Sequence, residues 1–457
     1  MIAKKNILKT YYIFLVLHLT LWTIIPTFSN INLPLDTIEA LAWGSKLDWG
    51  YAKHPPLSAF VVEAIYSFFG SNDWAYYLLS QIFLITAFIY VWKLSIKIFK
   101  EKLLALLSVL ILEGIVFYNY TSPEFNVNVC QLPFWSLTVY FFWKGLEEKS
   151  FANWILFGIF SALGFLSKYL FIYILFSLFL YLIFYFKNNQ KILKKYFLAN
   201  LLSLILLFPH FIWLIQNNYV TIFYGLKRSN LNEIGLINHL LNPLMFVLKQ
   251  LLILTPFFLM IFIIIKKFKI NLNLKNKNTA YLFSVSILPI ILILLTSIFT
   301  GAEIRTMWLT PFYLFLGTFF IFIFKKNIDL KKIKQFAYVF IFFFLFSPTV
   351  YLGVSVIDDS KRTDFPGKEI SRLVQNKWDD NFINDIKIVV GDEWYAGNLS
   401  YHLSSRPIWL NDLTDKVANV KSNQGVVYTG NPKVLKKICP GVYGTIRPVG
   451  YCMIGKR

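Results

Sequence analysis

The chain alternates long apolar stretches with short polar ones, and the apolar stretches are too long for the core of a soluble domain. They fall near 11–28, 74–92, 103–119, 127–143, 151–167, 169–186, 196–215, 243–265, 279–299, 307–324 and 335–353. A helix needs roughly 17–25 apolar residues to cross a hydrocarbon core of ~30 Å. The pattern therefore predicts about eleven transmembrane helices. A further apolar stretch, 56–70, is shorter and lacks lysine flanks, so helices within 38–70 are expected to lie along the membrane surface. Past residue 354 the pattern changes: charge, Gly and Pro return and apolar runs shorten. KIVVG and GVVYTG read as strands, and EISRLVQNKW reads as a helix. This predicts a membrane domain over 1–354, with a first external loop at 29–73, followed by a small α/β domain over 355–457.

Composition agrees: 57% of the 457 residues are hydrophobic, 15% are charged and 47 are Phe. The formal charge of +21 could suggest nucleic acid, but its distribution points to a membrane. With the N-terminus inside, the inner segments hold 23 lysines, in groups such as Lys4, Lys5 and Lys9, Lys187 to Lys195, and Lys325 to Lys334. The outer loops before the C-terminal region hold six basic residues: Lys46, Lys53, Lys168, Lys227, Arg228 and Arg305. Such asymmetry sets the orientation of a membrane protein. The first apolar segment follows lysines without a small-residue cleavage site and reads as a signal anchor. The C-terminal domain is then extracytoplasmic.

This orientation sorts the chemistry. The inner loops carry lysine and few acids. Mixed polar groups gather on the outer face, in five loops. They are Asp36, Glu39, Lys53 and His54; Glu124 in TSPEF; Lys168 at a helix end; Lys227, Arg228, Glu233 and His239; and Glu303 with Arg305. Charges beside hydrocarbon are costly and mark substrate paths. The loops together predict one external active site at the water–lipid boundary, although some of these charges, such as Lys227 and Glu233, read as solvated.

DxxE over 36–39, followed by WG and GYxKHPPL, resembles the first external loop of bacterial glycosyltransferase family 39 proteins. Segments resembling that family recur along the chain: WAYYLLSQ from Trp74, TSPE from Thr121, GFLSKY from Gly164, RxxWLxP from Arg305 and GDEWYAGNL from Gly391. The resemblance implies a GT-C fold akin to protein O-mannosyltransferases and the lipid A aminoarabinose transferase. It also implies transfer of a sugar from a polyprenyl-phosphate carrier to an acceptor outside the cytoplasm, in a bacterial inner membrane.

What the resemblance implies for single residues fits the chemistry. A carboxylate takes or orients the proton of the attacking hydroxyl; Asp36 matches it, with Glu39 beside it. Fixed cations stabilise the departing phosphate; Lys53, His54, Lys168 and Arg305 are the candidates. Glu124, Tyr51 and Trp308 are candidate substrate contacts. The family often places Asp-Glu at the start of this loop and Asp later; here Thr37 follows Asp36, and the later acid is Glu124. One base suffices where phosphate leaves unaided, unlike glycoside hydrolysis with its two opposed carboxylates. The expected partners are the lipid-linked sugar donor, a lipid or glycan acceptor and membrane lipids, with no nucleic acid. Asp36, Glu39, His54 and Glu124 could form an oxygen-rich cation site, but no cofactor is expected. Cys439 and Cys452, in an oxidising compartment, suit a disulfide; Cys130 reads as packing. The rival readings are a glycan polymerase or ligase and a polytopic transporter. The second lacks an internal repeat and has only Glu113 and Lys249 as charges well inside spans.

Overall fold

A computed structural model describes residues 4–148, 150–231, 235–270, 272–411 and 424–457; Glu233 lies outside these residues. The membrane part holds sixteen α-helices among the described residues. They are α1 (Lys4–Ser29), α2 (Leu35–Gly44), α3 (Leu57–Phe69), α4 (Asp73–Phe99), α5 (Lys102–Leu110), α6 (Val127–Glu147), α7 (Phe151–Ser167) and α8 (Ile172–Phe186). There follow α9 (Gln190–Gln216), α10 (Val220–Arg228), α11 (Asn238–Ile253), α12 (Thr255–Ile264), α13 (Lys277–Ser286), α14 (Leu288–Thr300), α15 (Leu316–Phe324) and α16 (Ile333–Ile357). Every stretch read as a span is helical for most of its length. Among the described residues, five helices are long and apolar enough to cross a membrane, or up to eight if each bent pair is one span. The pairs α11–α12 and α13–α14 bend by 54° and 45°. Pro256 and Pro289 stand at N1 or N2 of the second helix in each pair, where a ring cannot continue the preceding hydrogen-bond ladder. A 3-10 helix, Thr306–Tyr313, meets α15 at 55°.

The span expected at 103–119 is α5 followed by two 3-10 turns, Ile111–Gly114 and Val116–Tyr118. Glu113 lies at this break, fully buried, with Oε2 3.2 Å from His18 Nδ1 of α1. Phe14, Phe88, Phe344 and Trp22 ring the histidine. A buried acid next to a buried base avoids a lone charge in hydrocarbon.

The segment 29–73 holds the helices α2 and α3. Helix α10, read as loop, buries Thr221 against the protein and leaves Phe223 exposed.

The C-terminal part adds α17 (Gly367–Asp379), α18 (Tyr395–His402) and α19 (Pro432–Ile438) to strands β1 (Ile388–Val390), β2 (Ile408–Leu410), β3 (Val426–Gly430), β4 (Val442–Ile446) and β5 (Val449–Ile454). The sheet order is β2-β1-β3-β5-β4, parallel across β2-β1-β3 and antiparallel beyond. Side chains alternate across a strand. Val389 and Val427 pack under α17 and α18 with Ile370, Val374 and Leu399, while Val390, Val426 and Tyr428 meet Leu435 of α19 on the opposite face. A disulfide joins Cys439 to Cys452 beneath α19, as their spacing and compartment suggested, and Cys130 is buried and free.

This domain clamps onto the segment that carries α2 and α3. Helix α18 lies directly on α2: a Cβ on Gly397 would meet Ile38 Cγ2 at 3.1 Å and Ala42 Cβ at 3.2 Å. Arg406 pairs with Glu63 at 2.5 Å, donates to the Leu41 carbonyl at 2.7 Å and lies over the Tyr66 ring. Helix α2 is thus held from both sides, between bundle and sheet domain, and its first turns carry the acids singled out above.

Candidate active site

Asp36 and Glu39 stand three residues apart on α2, so they share one helix face. They face a cavity of about 590 Å³. The loop after α2 turns back on itself through a Tyr51 N–H to His54 carbonyl bond of 3.1 Å, and Pro55-Pro56 ends it before α3. That turn brings Lys53 and His54 to the same cavity. Lys168 caps the C-terminus of α7 in an extended conformation, which swings its side chain off the helix and into the wall. Arg305 precedes the 3-10 helix that carries Trp308, and both line the cavity. Seven of the nine residues singled out as site residues therefore converge from distant segments: Asp36, Glu39, Lys53, His54, Lys168, Arg305 and Trp308.

Two do not reach the wall. Glu124 sits behind Asp36, and its Oε1 accepts the Asp36 backbone N–H at 3.1 Å. Tyr51 stacks on Trp43, with ring centroids 5.6 Å apart, and its hydroxyl bonds within the loop. Of the charges read as solvated, Lys227 is exposed. Glu303 accepts from Asn230 at 2.6 Å and makes no ion pair with Arg305 among the described residues.

The structure also adds residues to the wall. Arg228, read from the sequence as one of the outer-face charges but given no role, and Tyr224 come from α10, Asn128 from α6 and Arg362 from the turn after α16. Glu393, in the GDEW segment of the sheet domain, reaches Lys53 at 3.2 Å, opposite Glu39 at 2.8 Å. Lys53 is thereby gripped by one carboxylate from each part of the molecule. The only sequence sign of this contact was the GDEW motif itself.

Burial sets the electrostatics. It pushes the Asp36 carboxyl above the usual carboxylate range, and Lys168, Lys53, Arg362 and Arg228 pull it partly back. Burial and the Asp36 charge push Glu124 up to about 8, so of this pair Glu124 is the one that keeps its proton at neutral pH. Burial raises Glu39 too, against the Lys53 hydrogen bond. It takes His54 down to about 3, helped by the nearby cations, so this ring is neutral. It meets the edges of Trp43 and Tyr224. Burial takes Lys168 down to about 7, with Asp36 opposing. Its Nζ donates to Asn128 Oδ1 at 2.5 Å and lies 5.3 Å from the Trp308 ring centre. Arg305 Nε is buried with no hydrogen-bond partner. A guanidinium donor left open on a cavity wall is suited to an oxyanion.

A metal fits less well. Although Asp36, Glu39 and His54 line one cavity, no three His, Cys, Asp or Glu side chains gather closely enough to hold an ion among the described residues. What the cavity can do is receive an anion among Lys168, Arg305, Arg228 and Arg362 while Asp36 presents a base beside it.

Such a bundle, with a sheet domain docked on α2 and reaching Lys53 beside a charged cavity, defines a multi-span membrane protein of the GT-C type. Residues 53–213 match the family model of dolichyl-phosphate-mannose-protein mannosyltransferases. The matches bear out the likeness read from the first loop, and the shared fold is of the GT-C type. A curated relative is the lipopolysaccharide core galacturonosyltransferase RgtA of Rhizobium johnstonii, 23% identical over 320 residues. That match covers 67% of this chain and 62% of RgtA, less than two thirds of the relative's length. Two crystal structures of ArnT from Cupriavidus metallidurans share the fold at 11% identity. The apo form has a TM-score of 0.65 over 97% of this chain and 98% of ArnT. The form bound to undecaprenyl phosphate has a TM-score of 0.66 over 99% and 98%.

Proposed function

We propose that this chain is a membrane glycosyltransferase that moves a sugar from a polyprenyl-phosphate carrier to an extracytoplasmic lipid or glycan acceptor. The chain crosses a bacterial inner membrane eleven times, with its N-terminus in the cytoplasm and the cavity and sheet domain outside. One observation carries the reading: a single open carboxylate, Asp36, shares a cavity with Lys168, Arg228, Arg305 and Arg362. The family model and the lipid-phosphate complex of a protein with this fold support it.

The acceptor hydroxyl attacks the anomeric carbon as its proton passes to Asp36. A new C–O bond forms, the bond from that carbon to the phosphate oxygen breaks, and the phosphate leaves on its lipid with the bonding electron pair. Its charge is met by Arg305 and Lys168 from one side and by Arg228 and Arg362 from the other. Binding a phosphate also favours the protonated form of Lys168, so donor and lysine charge reinforce each other. Glu39 and Glu393 hold Lys53 at the rim for the donor. Glu124 positions Asp36 through its backbone amide. Neutral His54 offers a hydrogen bond, not a charge. Leu35, Ile222, Leu226 and Met307 give the apolar side along which the carrier chain runs. No step requires a metal.

The test is Asp36→Asn in membranes supplied with polyprenyl-phosphate sugar and envelope extract. Transfer is expected to fall by about 10²–10⁴-fold while the protein stays folded and membrane-bound. Full transfer at normal expression removes Asp36 as the base.

A further inference from the structure

A second cavity, about 640 Å³, lies outside the active site and shares none of its lining residues. It sits between the first turns of α17, the end of α18 and Ile31, the exposed residue two past the end of α1. The wall carries two polar groups that have no partner. Ser371 is 2% exposed, and its hydroxyl makes no hydrogen bond. His402 Nδ1 is likewise buried and unpartnered.

The polarity of that nitrogen follows from a relay. Asn398 Nδ2 donates to the Trp394 carbonyl at 2.8 Å, so its Oδ1 accepts from Asn32 Nδ2 at 2.7 Å. Asn32 Oδ1 must then accept, and its partner is His402 Nε2 at 3.3 Å. Burial holds the imidazole neutral, down to about 4, with Lys368 adding to the effect. With the proton on Nε2, Nδ1 is a bare lone pair, and it needs a donor from outside the protein. An unmade hydrogen bond at a buried group is costly.

Charge completes the picture. Lys368 and Arg372 are i, i+4 neighbours on α17, and both line the cavity. Like charges at this spacing repel, and neither has an ion-pair partner among the described residues. Glu369 is the one acid on the wall. The N-cap of α17 is Pro366, whose side chain caps nothing. The helix start is pressed against the relay, since a Cβ on Gly367 would meet Asn398 Oδ1 at 2.4 Å. A helix N-terminus with two cations favours an anion, while His402 asks for a hydroxyl donor.

We propose that this cavity is an acceptor subsite for an anionic, hydroxyl-bearing saccharide headgroup, held apart from the reacting hydroxyl. The proposal rests on the glycosyltransferase reading and names the acceptor class within it: an acidic glycan. Exposed Ile31 on the wall follows closely on the apolar helix α1, so a lipid-borne headgroup suits the cavity, and a free acidic sugar has the same chemistry. Occupancy also bears on catalysis, because the relay residue Asn32 lies just ahead of α2 and Asp36.

The experiment measures binding, not turnover, on the full-length protein in nanodiscs. The probes are an acylated, phosphorylated glucosamine disaccharide, its unphosphorylated counterpart and polyprenyl phosphate, with free glucosamine phosphate as competitor. The Lys368→Gln/Arg372→Gln variant changes exposed side chains only. It is expected to bind the phosphorylated glycolipid about tenfold more weakly, with polyprenyl phosphate binding unchanged. Ser371→Ala weakens binding to a smaller extent. Competition by glucosamine phosphate assigns recognition to the headgroup alone; failure to compete, with the variant effect intact, assigns it to the lipid-borne form. Unchanged glycolipid affinity in the double variant, or an equal loss for the unphosphorylated probe, overturns the proposal. Because these readouts need no catalysis, they stay legible in Asp36→Asn, so failure of the catalytic reading is seen separately.

Discussion

The two faces of the bundle use basic residues in opposite ways. On the face read as cytoplasmic, Lys187, Lys266, Lys267, Lys325 and Lys326 are exposed to solvent. Their acid contacts are few and at the surface, such as Lys97 and Lys144 with Glu148. On the other face, Lys168 is 7% exposed, and Arg305 Nε is buried without a partner. Solvated lysines cost little and serve to orient the chain. Desolvated cations without acids are expensive unless something anionic comes to them. The buried pair of His18 and Glu113 makes the same point from the structural side: there the acid inside the bundle is met by a base within the protein.

The contrast can be broken by substitution. After the loss in Asp36→Asn, the largest effects fall on the cations of the cavity. Arg305→Ala and Lys53→Ala should each lower kcat/KM for the lipid-linked donor by a factor on the order of 10–100. If either variant lost only thermal stability and kept wild-type dependence on donor, that residue would be a loop brace instead.

A finer test uses pH. Lys168 must be charged to meet the phosphate, and burial takes it down to about 7 in the empty site. Activity therefore falls as pH rises through that value, while the raised Asp36 carboxyl sets the acid side of the profile. Arginine stays protonated throughout this range. In Lys168→Arg the alkaline limb of kcat/KM should move to higher pH, whatever the change in its height. An unmoved limb would remove Lys168 from the profile.

The smallest effects belong to the other face. Lys266→Gln with Lys267→Gln should change kcat/KM by less than about twofold, as expected of exposed sites. The orientation behind this prediction is checked by phosphatase fusions, inactive after Asn189 and active after Asn381. Activity at the first or silence at the second contradicts it.

The membrane pattern was readable because lipid forces long apolar runs, and no other solvent does. The strands at 388–390 and 426–430 and helix α17 were readable from local pattern for the same kind of reason. The breaks were not. Pro256 and Pro289 mark two of the bends, but an apolar run looks the same straight or bent. Helix α10 is short and mixed, so Arg228 was readable only as one of several outer-face charges and Tyr224 not at all. Asp36, Lys168 and Arg305 were readable because charge stands out beside hydrocarbon. Glu393 and Arg362 were hidden, since each meets the site across more than three hundred residues of chain and sits in a segment where charge is ordinary. Glu124 was readable as a polar outlier, yet only coordinates reveal that it holds the backbone of Asp36 and not the cavity wall.

The central claim is that the cations of the outer face form a seat for a lipid phosphate beside Asp36. An electron cryomicroscopy map of the full chain in nanodiscs with added polyprenyl phosphate tests it most directly. The account predicts phosphate density within hydrogen-bonding distance of Arg305 Nε and Lys168 Nζ, with the lipid chain leaving past Ile222 and Leu226. Phosphate density elsewhere on the bundle, with this cavity filled only by water, would contradict it.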